Sequence, residues 1–131
     1  MLTLHLKRFR ATGRRVHKLD AHVAFPLVLD LSPFACGADA PRKNAAELLR
    51  AAAAAAAAPR SPQRTVLRLY ALIEHQGTFS SGHYVALVRL SGGWYRMSDS
   101  QVTRIDEAAV LATQAFMLFY ERVEAEEGGA E

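Results

Sequence analysis

The 131-residue chain has one cysteine, Cys36, and one tryptophan, Trp94. A single thiol excludes an internal disulfide and any paired-cysteine zinc site. Long mixed apolar runs are missing too. None reaches the ~18 residues that mark a membrane-spanning helix, so no membrane partner is expected. The opening residues Met1-Leu2-Thr3-Leu4-His5 alternate at once. They lack the basic start and continuous apolar stretch of an export signal. These absences point to a reducing compartment, cytoplasmic or nuclear.

Acidic residues are scarce in the first sixty positions and gather at the end, as Glu121, Glu124, Glu126, Glu127 and Glu131. Arginine dominates the positive charge, mostly before residue 65, and the formal net charge is +3. Such asymmetry can mark a nucleic-acid surface. Only Phe9 interleaves with the basic cluster, so stacking on single strands has little support. The reading preferred is a solvated basic face, with nucleic acid not a partner.

Leu2, Leu4 and Leu6 alternate with polar residues and predict a half-buried strand. Ala11-Thr12-Gly13 breaks it. A second extended run covers 22–25, because Pro26 forbids helix there, and 27–31 continues extended. Ser32-Pro33 reads as a turn or a cap with proline at the first helical position. Residues 35–64 read as an alanine-rich, low-complexity insertion. Asn44 and Glu47 give it capping-box character, and with the alanine run 51–58 it is expected to be a marginal surface helix or a disordered, low-complexity segment. From Val66 the pattern is β again, with Leu67, Leu69, Ala71 and Ile73 on one face. Residues 76–82 form a Gly- and Ser-rich loop, and 83–90 a strand. Ser91-Gly92-Gly93 makes a tight turn into a strand over 94–97. Residues 101–105 are extended, Asp106 caps a short helix through Leu111, and 114–123 is a last strand. The acidic tail 124–131 is expected to be disordered. The fold class is α+β: a mostly antiparallel β-sheet of about six strands with one or two short helices.

Among the five histidines, His5, His17 and His22 read as surface residues, and His75 ends a strand. His83 follows Gly82 at the junction of the loop and an apolar strand. A general base needs a fixed ring with an open approach, and this junction offers both. A turn near Gly92 sets His83 opposite residues 100–102, with Ser98 and Asp99 two or three residues along. At ~3.4 Å per residue that offset is roughly 7–10 Å. Strand twist or a bulge would have to close it. A hydroxyl or carboxylate there could orient the imidazole through its second nitrogen.

Several motifs then resemble, in order, the C-terminal half of the catalytic domain of the ubiquitin-specific protease family. They are Leu2-Thr3-Leu4-His5-Leu6-Lys7-Arg8-Phe9, His22-Val23-Ala24-Phe25-Pro26 and Tyr70-Ala71-Leu72-Ile73-Glu74-His75-Gln76-Gly77-Thr78. Then come Ser81-Gly82-His83-Tyr84-Val85-Ala86, Trp94-Tyr95-Arg96-Met97-Ser98-Asp99 and Ala115-Phe116-Met117-Leu118-Phe119-Tyr120-Glu121-Arg122. The resemblance covers residues 1–34 and 66–123. It implies the palm-like part of a papain-like cysteine protease domain spanning 1–123 and interrupted by the insertion. It further implies hydrolysis of the bond after ubiquitin's C-terminal glycine, by a thiolate with histidine as base and then acid. His83 matches the family histidine. Ser98 stands where most members carry Asn or Asp, and Asp99 matches the acidic residue that follows.

By the same resemblance, Gln76, Gly77, Thr78, Phe79, Ser80, Ser81 and Gly82 line the channel for ubiquitin's tail. Residues 10–18 form a second channel loop, and Tyr84 lies beside the tail. Trp94 is read as a core aromatic. The family's cysteine box and its zinc ligands have no counterpart among these residues, and Cys36 falls in the insertion. No metal and no cofactor are expected. The expected partners are ubiquitin or a ubiquitinated protein and a separate cysteine-box lobe. Three functions follow: a deubiquitinase fragment inactive alone, a non-catalytic ubiquitin-contacting or regulatory β domain, and a basic interaction module.

Overall fold

The computed structural model describes residues 1–34 and 65–123. The insertion 35–64, with Cys36, and the tail 124–131 lie outside the described residues. The chain runs β1 (Leu2–His5), β2 (Phe9–Thr12), β3 (Arg15–Lys18), β4 (Val28–Asp30) and a 3-10 turn (Ser32–Phe34). Then follow β5 (Val66–Gly77), β6 (Gly82–Leu90), β7 (Gly93–Ser98), β8 (Gln101–Ile105), α1 (Glu107–Ala112) and β9 (Ala115–Arg122). All strand pairs are antiparallel. The main sheet has the order β1-β9-β5-β6-β7-β8, with β4 beside the start of β5. The β2–β3 hairpin is a separate two-stranded sheet.

The mostly antiparallel α+β reading holds, with more strands than the six expected. The extended run at 22–25 forms no strand, and β4 begins further on. The hairpin at 9–18 was not foreseen. Thr12 pairs with Arg15 around Gly13-Arg14, and Gly13 has φ 62°. Glycine reaches that conformation without the steric penalty of a Cβ.

β5 is the spine. Along one edge it pairs with β9 over most of its length. Along the other it pairs first with β4, at residues 66–68, and then with β6, at residues 71–77. At the handover the register against β9 slips between Leu69 and Ala71. Tyr70 is therefore an extra residue, and the pleat resets. Leu67 and Leu69 face the core as expected, but Ala71 and Ile73 do not. Leu72, with no exposed surface, takes the inward position instead. A one-residue slip exchanges the faces of everything beyond it.

The core lies on one face of the sheet. Leu69, Leu72, Val85, Leu87, Trp94, Leu118 and Tyr120 supply its floor. Phe25, Leu27, Leu29 and Leu31 cover part of it, and Val110 reaches it from α1. Asp106 caps α1 as expected, its Oδ1 accepting from the Ala109 N–H at 2.8 Å. The inner positions are apolar because burial of a Leu or Val side chain stabilises by ~1.5–3 kcal/mol.

One member of the basic cluster is not solvated. Arg8 is only 4% exposed. Its Nε donates to the Ala115 carbonyl at 2.6 Å, and its Nη1 to the Leu19 and Ala21 carbonyls at 2.8 Å each. Its reach joins the β1–β2 connection, the segment after β3 and the start of β9.

The Tyr120 hydroxyl donates to the Pro26 carbonyl at 2.8 Å, and burial raises this phenol above its ordinary value of 10.0. The folded protein keeps the proton at a pH where the unfolded chain has released it. Stability therefore falls as pH rises past about 10, until the folded value is reached, and is indifferent to this group below that window. Tyr120→Phe is expected to flatten the alkaline limb of a Tm-against-pH curve, while removing about 1 kcal/mol at neutral pH with the lost hydrogen bond. An alkaline limb identical to wild type would show that another group controls it.

Candidate active site

His83 Nε2 lies 2.9 Å from Ser98 Oγ. The register explains how. β6 and β7 pair from Leu90↔Gly93 to Ala86↔Met97 without a slip. Continuing one step sets Ser98 opposite Val85, two residues from His83 on the same face. Diagonal neighbours in an antiparallel pair lie ~7–8 Å apart at the backbone, within reach of a long side chain. The imidazole spans that diagonal, and no bulge is needed between these strands.

The chain reverses at once after Ser98, which pairs with Gln101 across the turn of Asp99 and Ser100. Asp99 takes φ 51°, a left-handed conformation that Asp tolerates better than most residues. This turn leaves Asp99 Oδ2 at 3.9 Å from the same His83 Nε2. Hydroxyl and carboxylate thus both address Nε2. Nδ1 has no hydrogen-bond partner among the described residues, and the His83 side chain is 43% exposed. The result is an imidazole held through one nitrogen with the other open, the arrangement a general base requires.

The loop expected over 76–82 is shorter than its sequence suggests. Gln76 and Gly77 continue β5, pairing with His83 and Gly82. Only residues 78–81 form the turn, closed by the Thr78 N–H donating to the Ser81 carbonyl at 2.7 Å. Phe79, at its tip, is 66% exposed. Tyr84 is 57% exposed and lies against His75, with ring centroids 4.8 Å apart. His83 and Tyr84, being consecutive in a strand, point to opposite faces. Trp94 is buried, as read.

Sequence reasoning passed over His75. It is 93% buried, by Phe9, Tyr84 and Phe116. A Cβ on Gly82 would overlap its ring. The Gly-His pair at 82–83 therefore has a packing reason beside its chemical one. Lys18 is the second omission, since nothing in the sequence sets it apart within the channel loop 10–18. Its Nζ donates to the His75 and Gly77 carbonyls at 2.7 and 3.2 Å. Among the described residues no group of His, Cys, Asp and Glu could hold a metal ion.

Gly82→Ala is expected to destabilise the protein by about 1–3 kcal/mol, as overpacking against a buried ring does. Combined with His75→Ala, the loss should be markedly less than the sum of the two single changes in chemical denaturation. Strict additivity would show that the ring and the glycine do not meet.

Residues 1–120 match the Ubiquitin carboxyl-terminal hydrolase family. The chain is 33% identical over 145 residues to "Ubiquitin carboxyl-terminal hydrolase 16" of Danio rerio, covering 94% of this chain and 16% of the relative. It is 38% identical over 122 residues to "Ubiquitin carboxyl-terminal hydrolase 21" of Arabidopsis thaliana, covering 92% of this chain and 14% of that protein. The chain thus spans about a sixth of the length of these relatives. Among solved structures, a chain of the SAGA Ubp8/Sgf11/Sus1/Sgf73 DUB module bound to ubiquitin aldehyde aligns with a TM-score of 0.71 and 30% identity. The alignment covers 94% of this chain and 24% of that one. The module bound to monoubiquitin aligns with a TM-score of 0.69 and 29% identity.

Proposed function

The chain belongs to the ubiquitin carboxyl-terminal hydrolase family, and on that premise we propose that it supplies the histidine side of a cysteine-protease centre that cuts after the C-terminal glycine of ubiquitin. The observation that carries this reading is the 2.9 Å contact of His83 Nε2 with Ser98 Oγ, with Nδ1 left open. In this reading Nε2 carries the proton. It donates to Ser98 Oγ and faces the Asp99 carboxylate, which favours an N–H over a lone pair. Nδ1 is then a lone pair free to take the proton of a thiol. The thiolate attacks the carbonyl carbon of that glycine, the C–N bond after it breaks, and the imidazolium returns its proton to the leaving amine. Water, deprotonated at the same nitrogen, then releases the acyl group. A neutral hydroxyl stabilises imidazolium less than an anion does, and the nearby Asp99 carboxylate supplies negative charge.

Ubiquitin's tail runs along residues 76–82 and Tyr84, where exposed Phe79 and Tyr84 offer apolar contact. The nucleophile comes from a cysteine-box lobe outside these residues. What supports this is the place of Cys36, in the insertion beyond Pro33 and without glycine-rich or tryptophan context. Residues 1–34 and 65–123 form the C-terminal part of the catalytic domain, and the compartment is cytoplasmic or nuclear. Among the described residues no helix is long and apolar enough to cross a membrane. The second reading is a ubiquitin-contacting β domain that does no chemistry, favoured by the single thiol.

Cleavage of a fluorogenic ubiquitin substrate separates the two. The 131-residue chain alone should show no turnover, and Cys36→Ser should change nothing. Supplied with the cysteine-bearing lobe of a relative, it should turn over substrate. His83→Ala should then lose at least about 10²–10⁴-fold in kcat/KM, and Ser98→Ala a smaller factor. Turnover by the chain alone that Cys36→Ser abolishes would make Cys36 the nucleophile. Turnover indifferent to His83 would end the catalytic reading.

A further inference from the structure

We propose that Lys18 is a positioning residue that locks the β2–β3 hairpin to the β5–β6 turn, so that the two segments flanking the candidate ubiquitin-tail channel behave as one jaw. The proposal rests on the functional reading above for its biological meaning, but the lock itself is a matter of hydrogen bonding.

β5 outlasts one of its neighbours. Its pairing with β9 ends at Glu74↔Ala115, while its pairing with β6 continues to Gly77↔Gly82. Alternate carbonyls of a strand point to the same edge, so those of His75 and Gly77 both address the side where β9 has stopped. Strand carbonyls left without a partner are costly away from water. Lys18 Nζ takes both, at 2.7 and 3.2 Å, with its side chain 12% exposed. A lysine ammonium thus stands where a further stretch of strand would have stood. Its bonds are charge-assisted and stronger than neutral ones. Asp20 Oδ1, 3.7 Å away and largely exposed, is its one ion-pair neighbour among the described residues.

The residue paired with Lys18 in the hairpin is Phe9. Its ring meets His75 at 5.4 Å, Phe79 at 5.6 Å and Phe116 at 6.3 Å. One cross-strand pair therefore grips the turn twice, by charge and by ring. The hairpin root is itself held, with the Leu19 N–H donating to the Arg8 carbonyl at 2.6 Å. The two segments share their anchors, and neither can shift far without breaking Lys18 from β5.

The test is amide hydrogen exchange on the intact protein without ubiquitin, followed over residues 9–18 and 75–84. In wild type both segments should open with protection factors within about tenfold of each other. Lys18→Met, which keeps the stem and loses the charge, should raise exchange in both segments at least about tenfold while the core strands stay protected. Lys18→Arg should restore most of the protection. Where the wild-type protein binds ubiquitin, Lys18→Met should raise Kd, and with the cysteine-bearing lobe supplied it should raise KM with little change in kcat. Wild-type segments that open at rates more than tenfold apart would overturn the proposal, a result readable even if Lys18→Met fails to fold. Unchanged exchange in a folded Lys18→Met would overturn it too. A wild-type protein that binds no ubiquitin would refute the functional reading and leave the lock to be decided by exchange.

Discussion

A β-strand has two edges, and β5 has three neighbours. That constraint organises the molecule. β4 must hand over to β6 along one edge, and at the handover the Leu69 N–H is still held by the Leu27 carbonyl while Ala71 already pairs with Val88. The extra residue, Tyr70, sits between them. It sets the inward face for the second half of β5, and so for every strand paired with it. Because of that reset Leu72 and Leu87 lie in the core, and the face that His83 and Ser98 share, itself set by the unbroken β6–β7 register, is the core face. Move the extra residue, and the two side chains change face together.

Where strands stop, cations finish the hydrogen bonding. Arg8 satisfies three carbonyls with no carboxylate among its partners, and Lys18 satisfies two. Burying a charge is expensive unless its hydrogens are used. Lys18 Nζ and the Nε and Nη1 of Arg8 use theirs on backbone, while Arg8 Nη2 is buried without a hydrogen-bond partner among the described residues. These bonds tie the segment from Arg8 through residue 21 to β5 and β9. Both residues belong to the basic cluster, yet Arg8 is buried and the Lys18 side chain is largely so. The electrostatic asymmetry of the sequence is therefore partly an internal scaffold and not only a face toward solvent.

Much of this is legible in the sequence. The apolar run within 83–90, the glycines at 92–93 and Asp106 before a short helix located β6, β7 and α1, because each signal is local. The hairpin at 9–18 was missed because its residues are polar and arginine-rich, without an apolar face. The Gly-X step at Gly13-Arg14 was the available clue. The bulge at Tyr70 was not legible, since it answers to a change of strand partner far along the chain. Arg8 and His75 were misjudged for the same reason: carbonyls and rings from distant segments bury them. The His83–Ser98 contact lay between these cases. Counting from the turn put the two in one neighbourhood, and the reach of an imidazole across the strand diagonal closed the rest.

The family match fixes the kind of protein to which these residues belong, and the geometry says what they contribute: a histidine oriented by a serine hydroxyl and an aspartate through one nitrogen. The most direct measurement is the tautomer of His83, read from imidazole ¹⁵N and ¹³C shifts above the titration of the ring. The account predicts an Nε2–H form with Nδ1 as a lone pair in wild type, and loss of that preference in Ser98→Ala. An Nδ1–H form, or a preference untouched by Ser98→Ala, would contradict it.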